Sequence, residues 1–597
     1  MKMTHKVFIS SLGVAALALP RLAFSGDCAV TVATDTLPAV AGELRDCVEN
    51  VATSDGDTIT IGSGLTVDVD EGPMNIAASI RIVGAGVDNS AVNGLNNGPE
   101  RLFNINGSGN FAQFSGFSIF NSNNVAPGGA IFVDSGTSLS IDTVNIDDCS
   151  SDVDGGAIYH DGSLNLKNVK ITSTGASGSG GTIYTTGNLF IEGSTFTGNS
   201  AQVQGGAIYQ SDGTMQVVNS TVSENTAAGG AGGIKTYGLA ILQGLTMDKN
   251  TATNGRGGAL TTGGDTQIFD SEITNNETLT AGAAGIQNDE DLYVENTSIV
   301  GNKAGVNSGT DDGGGIHTDG SLTIISSTVA DNTVNGGNGA GIYEDSSGSI
   351  IERCTISGNK NLNAGSGGGL YINGNFASLL NSTVFGNETP DFGGGVYASY
   401  PLVMVNSTVV GNSATQDGGG IYVDEESSLA NSIVAGNSAT GAGPDCFNNS
   451  ILNSVAPNLI QDTTDCDTAG VAPLTGAPGL AAALADNGGP TQTLALIEGS
   501  QAIDAGDNGS CLATDQRGVS RPQGENCDLG AFELGGDVPP VTPTPSPTAT
   551  PVPPPPVPNI NGGGCSLADL PNTGSGVLWG FLTLGGAWFL AFRRRLR

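Results

Sequence analysis

The sequence predicts an all-β protein, a right-handed parallel β-helix, and three observations carry that prediction. A Gly-Gly-Ala-Ile-Tyr motif and its variants recur with the apolar residue at Ile131, Ile158, Ile183, Ile208, Ile234, Leu260, Ile286, Ile316, Ile342, Leu370, Val396 and Ile421. These eleven intervals span 290 residues, a mean of about 26, and a fixed period of that size marks a solenoid or array. Each unit also holds two further short apolar runs, such as Ser163-Leu164-Asn165-Leu166 and Asn219-Ser220-Thr221-Val222, giving three short strands per turn. An asparagine follows the third run at Asn199, Asn225, Asn250, Asn276, Asn302, Asn332, Asn359, Asn387, Asn412 and Asn437. Strands this short are satisfied when each pairs in parallel with its copy one turn on, about 4.8 Å along the axis. The hand follows from the preference of parallel crossovers. The asparagine register predicts amides stacked at one corner and bonded to turn backbone, rather than glycan acceptors.

Composition agrees. Of 597 residues 93 are glycine, and the chain is 38% hydrophobic but 5% aromatic, so its core is built from small and β-branched side chains. Glycine shows no three-residue period, which excludes collagen. Acidic residues outnumber basic ones 58 to 20, a net charge of -38, which leaves no basic surface for a nucleic-acid partner.

In chain order, residues 1–25 read as a secretory signal peptide. Met1 to Lys6 is positive, Val7 to Leu19 is apolar and too short to span a bilayer, and Ala23-Phe24-Ser25 is a small-residue cleavage pattern. Residues 26–80 form an N-terminal cap region, in which Leu44, Val48 and Val51 have the spacing of a short amphipathic helix able to plug the first turn. Residues 81–445 are the β-helix and 446–534 a separate C-terminal domain. Residues 535–561 are a Pro-rich linker, and Pro539 to Pro558 holds 11 of the 25 prolines, the composition of a polyproline II stalk. Residues 562–597 are a sorting or anchor tail. Within it Gly576 to Phe592 is uncharged and mainly apolar, an anchor helix followed by Arg593, Arg594, Arg595 and Arg597, which stay cytoplasmic. The chain is thus exported and held at its C-terminus by the membrane or, after processing, by the cell envelope.

Several of these segments resemble known families. The repeats resemble the polymorphic outer-membrane-protein type of β-helix repeat, Gly-Gly-Ala-Ile followed by a strand ending in Asn, over about residues 80 to 440. Gly42 to Val48, with Gly56-Asp57-Thr58-Ile59, is similar to the CSLREA region of such proteins, although Cys47 stands where that pattern has a small residue. Asp486-Asn487-Gly488-Gly489-Pro490, Ala502-Ile503-Asp504-Ala505-Gly506, Asp515-Gln516-Arg517-Gly518 and Cys527-Asp528-Leu529-Gly530-Ala531-Phe532-Glu533 resemble the choice-of-anchor Q domain, which implies a surface protein and no known chemistry. In the tail, Leu570-Pro571-Asn572-Thr573-Gly574 resembles a sortase sorting signal, which implies cleavage after Thr573. Gly563-Gly564-Cys565 resembles the glycine-cysteine tails of some Gram-negative envelope proteins. Both readings, and an unprocessed anchor, stay open.

Candidate chemistry is sparse. Among nine cysteines, Cys28 with Cys47, Cys446 with Cys466, and Cys511 with Cys527 are close in sequence and read as disulfides. Cys149 and Cys354 fall within repeats and read as buried thiols. With His160 and His317 the only histidines beyond the signal peptide, no zinc site is expected. Asp391 and Asp417, in successive turns before the glycines, are candidates for calcium, and no other cofactor is expected. Many β-helix proteins act on polysaccharides as lyases, hydrolases or epimerases. Only eight basic residues lie between Ile131 and Cys446, however, and the best-placed base, Lys235, has Tyr209 and Thr261 rather than acids in its register. No catalytic residue is assigned.

The sharpest pattern follows each repeat's inward apolar residue: Phe132, Tyr159, Tyr184, Tyr209, Lys235, Thr261, Gln287, His317, Tyr343, Tyr371, Tyr397 and Tyr422. Strand alternation puts these on the outer face as two aromatic stripes separated by a polar middle. The stripes brace the sheet, or serve as a platform for a polysaccharide or another extracellular surface. The expected function is display, adhesion or glycan binding without catalysis, with a carbohydrate-active enzyme as the alternative.

Overall fold

The computed structural model describes residues 27–52, 54–96, 101–307, 312–345 and 348–539. The signal peptide, nearly all of the Pro-rich linker, the sorting motifs at Gly563 to Cys565 and Leu570 to Gly574, and the apolar segment 576–592 lie outside the described residues. Among the described residues no helix is long and apolar enough to cross a membrane.

The described chain winds as a parallel β-solenoid, and equivalent residues of successive turns pair one to one. Ile158 pairs with Ile183 and Ile183 with Ile208, and Leu164 pairs with Leu189. One sheet has 15 strands, from Met74–Ile76 to Cys446–Asn448, and includes the tyrosine register. A second has 18, from Cys28–Val30 to Thr468–Gly470. Parallel pairing therefore begins before residue 81 and continues past residue 445. The outermost turns lack the Gly-Gly motif, and backbone ladders form without a side-chain signature.

The third sheet corrects the count of three strands per turn. In most turns it consists of two short runs, such as Lys170–Thr172 and Gly175–Ala176. The bend between them is one residue in left-handed backbone: Ser173, Glu224, Lys249, Asn275 and Asp331 have φ of 54 to 57°. The buried asparagine is the residue that follows this bend, as Asn225 follows Glu224 and Asn332 follows Asp331. Runs of two or three residues are too short for alternation to reveal, so the fourth strand was invisible in the sequence.

The Gly-Gly motif has a separate reason at each position. Gly155 has φ +67°, which an L side chain resists. A Cβ on Gly156 would collide with the carbonyl of Gly181 in the next turn. Inside, Ile131, Ile158, Ile183 and Ile208 stack as one buried column of a continuous core.

The only helical segment among the described residues, Leu44–Asp46 with Cys47–Val51, buries Leu44, Cys47 and Val48. Val51 stands 41% exposed, so the expected apolar face ends at Val48. Arg45, itself buried, makes a two-pronged bond to Asp35 at 2.6 and 2.7 Å. Cys28 and Cys47 are paired with a Cα separation of 5.6 Å, Cys446 and Cys466 with 5.2 Å, and Cys511 and Cys527 with 6.6 Å. Cys149 and Cys354 are free and buried, and burial pushes both thiols up to about 12.

After Gly470 the chain folds back along the third sheet in irregular structure. Ile433, Ala435 and Leu459 of the solenoid meet Leu496, Ala502, Leu529 and Phe532 in a second small core. Asn381 Nδ2 donates to the Thr514 carbonyl at 2.8 Å, and Thr383 Oγ1 to Gln516 Oε1 at 2.6 Å. Gln516 Nε2 reaches the Cys354 carbonyl at 3.1 Å.

Candidate ligand-binding face

The outer residues of the 15-stranded sheet arise because its strands are three residues long. The first and third side chains enter the core and the middle one faces out. Register alone then stacks the middle residues. Phe132, Tyr159, Tyr184 and Tyr209 have ring centroids 5.3, 5.1 and 5.0 Å apart with planes within 16°. Tyr343, Tyr371, Tyr397 and Tyr422 follow at 5.3, 4.8 and 5.0 Å. Phe447, one turn beyond Tyr422 in the same register, extends this stripe at 5.2 Å.

This geometry decides what the rings can offer. Their faces are spent on each other, so a ligand meets a ridge of ring edges and phenol hydroxyls. The two stripes then differ. Tyr397 donates to Asp424 Oδ2 at 2.7 Å, and Tyr422 accepts from Asn449 Nδ2 at 2.8 Å. Tyr343 and Tyr371 accept from Asn373 Nδ2 and Ser399 Oγ at 3.4 and 3.5 Å. The hydroxyls of Tyr159, Tyr184 and Tyr209 have no protein partner among the described residues, and these rings are half-buried. Burial pushes the Tyr209 phenol up to about 12, with Tyr237 and Tyr184 adding to the shift.

Between the stripes the face is closed. Lys235, Thr261 and Gln287 are 6, 4 and 1% exposed. Lys235 Nζ sits 4.5 Å from the centre of the Tyr237 ring, and burial holds its ammonium pKa below the usual lysine range against the pull of Asp289. The stem of Arg256 lies on Gly282, where a side chain would displace it. His317 Nε2 is 3.1 Å from Asp319 Oδ1, and that contact lowers the Asp319 pKa, with Arg256 contributing. Asp289 and Asp319 thus act on the lysine and the histidine from positions two residues beyond the tyrosine register. Both polar atoms of Gln287 and Nδ1 of His317 are buried without partners.

The two candidate calcium ligands are occupied by backbone. Asp417 Oδ1 accepts from the amide of Ala442 at 2.7 Å, and Asp391 Oδ2 from that of Gly365 at 2.7 Å. They are not in one register, because Phe392 stands where the next turn has Asp417. Among the described residues no three metal-ligating side chains gather.

One open cleft sits at the N-terminal end of the first stripe, a cavity of about 400 Å³ lined by Arg101, Phe132, Asn104, Asn106, Asn124 and Asp134. Sequence reasoning did not find it. Arg101 lies outside the repeat motif, and its place beside Phe132 depends on the pairing of Phe132 with Asn104.

Residues 193–211 match the Chlamydia polymorphic membrane protein repeat. No curated protein matches the chain. Among solved structures, the Azotobacter vinelandii mannuronan C-5 epimerase AlgE6 A-module is similar at 10% identity, covering 73% of this chain and 95% of that one, with a TM-score of 0.21. Pectate lyase Pel9A is similar at 12% identity, covering 85% and 95%, with a TM-score of 0.23. Likeness at these scores carries no inference about activity. The repeat match and the fold together describe a parallel β-solenoid bearing a repeat of the surface-protein kind.

Proposed function

We propose that the protein is an exported, surface-displayed β-helix that binds glycan along the outer face of its tyrosine sheet and does not transform it. The observation that carries this reading is the row of unpartnered hydroxyls at Tyr159, Tyr184 and Tyr209, set on a rigid register and flanked by an open cleft. Neutral amides and hydroxyls arrayed beside aromatic edges suit sugar hydroxyls, and a stacked ladder holds them without further ordering cost. In the second stripe protein groups already bond the hydroxyls, so it serves mainly to brace the sheet. C-terminal anchoring by 562–597, beyond the stalk, is the arrangement that would display this face.

The test uses the full chain and a panel of immobilised polysaccharides. Replacing Tyr159, Tyr184 and Tyr209 together by Phe keeps the stack and removes the hydroxyls. Retention is expected to fall about tenfold or more, while the same change at Tyr371, Tyr397 and Tyr422 leaves it unaltered. Equal retention by all three proteins overturns the reading.

The gathering of Lys235, Asp289, Arg256, His317 and Asp319 favours a second reading, a carbohydrate-active enzyme. Its weakness is closure, since Lys235 is 6% exposed and a polymer reaches it only if its neighbours move. Incubation with the same polysaccharides followed by mass spectrometry separates the two. Shortened or unsaturated products from the native chain, absent with Lys235→Met, would establish the enzyme.

A further inference from the structure

We infer that the cleft at Arg101 is a subsite for the anionic group of a sugar, placed at the end of the hydroxyl row so that an acidic glycan is read from that end. The inference rests on the glycan-binding reading above and names the chemistry of its ligand. On a chain of net charge -38 most cations are answered in place. Lys167 meets Glu192, Lys303 meets Glu277, Lys360 meets Glu388 and Arg353 meets Glu352. Arg101 is half-buried and has neither ion pair nor hydrogen bond among the described residues. Its one contact is with a ring: Cζ lies 4.6 Å from the centre of Phe132. Burial alone holds its pKa below the usual arginine range.

The position is built by the register. Asn104 occupies the place where the next turn has Phe132, and its short side chain leaves the lower side of that ring open. Arg101, two residues before the strand Phe103–Ile105, fills the gap. A guanidinium held over a ring keeps its in-plane N–H groups for a planar anion, and a carboxylate fits that fork bidentately. Around it, Asn104 and Asn106 offer amides, while Asp134, whose Oδ1 accepts from the Ser135 amide at 2.9 Å, keeps its other oxygen for a sugar hydroxyl. A cavity of about 400 Å³ suits one or two sugar rings.

The test measures binding of the full chain to tri-galacturonate, to its neutral methyl ester and to a sulfated trisaccharide by calorimetry. Native protein is expected to prefer the carboxylate over the ester by about tenfold, with the preference shrinking as ionic strength rises. Arg101→Gln removes the preference, and Arg101→Lys retains only part of it. Asn106→Asp adds a second carboxylate to the cleft beside Asp134 and weakens acid binding without touching the arginine, which covers the case in which Arg101→Gln fails to fold. Preference for the sulfate assigns the same subsite to sulfated sugars. Equal binding of acid and ester, or an undiminished preference in folded Arg101→Gln, overturns the inference. If the ester binds and Tyr159, Tyr184 and Tyr209 are needed for it, the glycan reading survives that failure. If the protein binds none of these sugars and no polysaccharide of the panel, both readings are overturned.

Discussion

His160 shows how one turn departs from its neighbours at the scale of a residue. It occupies the inward third position of its strand, where the preceding turn has Val133, and it is fully buried with neither ring nitrogen partnered. Burial pushes its pKa down to about 4. In the unfolded chain it titrates near 6.5, so above that pH both states are neutral. As pH falls from about 6.5 to 4 the unfolded state takes up a proton that the folded state refuses. The native protein should lose about 3 kcal/mol over that window relative to a His160→Val variant. Urea denaturation of the two at several pH values checks this, and a difference that stays constant with pH would rule it out. The neighbouring polar residues of the inward column are partnered. Thr236 Oγ1 donates to Gln210 Oε1 at 2.8 Å and Asn288 Nδ2 to Thr262 Oγ1 at 2.7 Å.

At the scale of elements the ladders hold the turns in phase. Each asparagine of the corner donates through Nδ2 to Oδ1 of the next at 2.9 to 3.0 Å, in an unbroken run from Asn199 to Asn437 that ends on Asp445. The same oxygen also accepts the backbone amide below, as Asn302 Oδ1 does from Asn276 at 3.0 Å. Replacing Asn302 by Leu would take the acceptor from the buried Asn276 amide and one bond each from Asn276 Nδ2, the Ile273 carbonyl and Asn332 Oδ1, at a cost of about 2–4 kcal/mol. Because each turn contacts only its neighbours, hydrogen exchange should rise near residues 270 to 335 and stay unchanged in distant turns. The asparagine ladder was legible because asparagine recurs there without exception. A second ladder was not. The amide of Ser194 bonds Ser220 Oγ, that of Thr297 bonds Ser327 Oγ and that of Ser407 bonds Ser432 Oγ, at 3.1 Å each. Leu245 and Cys354 interrupt its hydroxyl register, and serine and threonine are too common in turns for the rest to stand out.

Over the whole described chain, the returning segment after Gly470 depends on ion pairs away from water. Arg521 Nη1 lies 2.9 Å from Glu533 Oε2 with both side chains at most 1% exposed, and Arg517 Nη2 lies 2.7 Å from Asp515 Oδ2. Glu533 also accepts the amides of Gln523 and Asp528 at 2.8 Å. The residues that stood out as motifs, Asp515-Gln516-Arg517 and Cys527 to Glu533, are therefore those that bind this segment to itself and to the third sheet. Arg521→Ala strands a buried carboxylate at a cost of about 3–5 kcal/mol. Limited proteolysis is expected to cut between residues 471 and 534 in that variant while the solenoid turns resist.

By itself the sequence determined the repeat, its phase, and which residues face in and out, because a period of about 26 residues and strict alternation within each strand express themselves in residue type. The tyrosine stacks and the asparagine ladder follow from that phase, since parallel register carries each position directly onto its copy. Only the tertiary structure decided which parts of the outer face are open. Lys235 is 6% exposed with its ammonium against the Tyr237 ring, and whether a hydroxyl is free depends on residues such as Asp424 and Asn449 one turn away. The same holds for Arg101, whose lack of a partner is a fact about distances between turns. Periodicity records which face a side chain takes, whereas neighbours from other turns and other columns set what that side chain meets there.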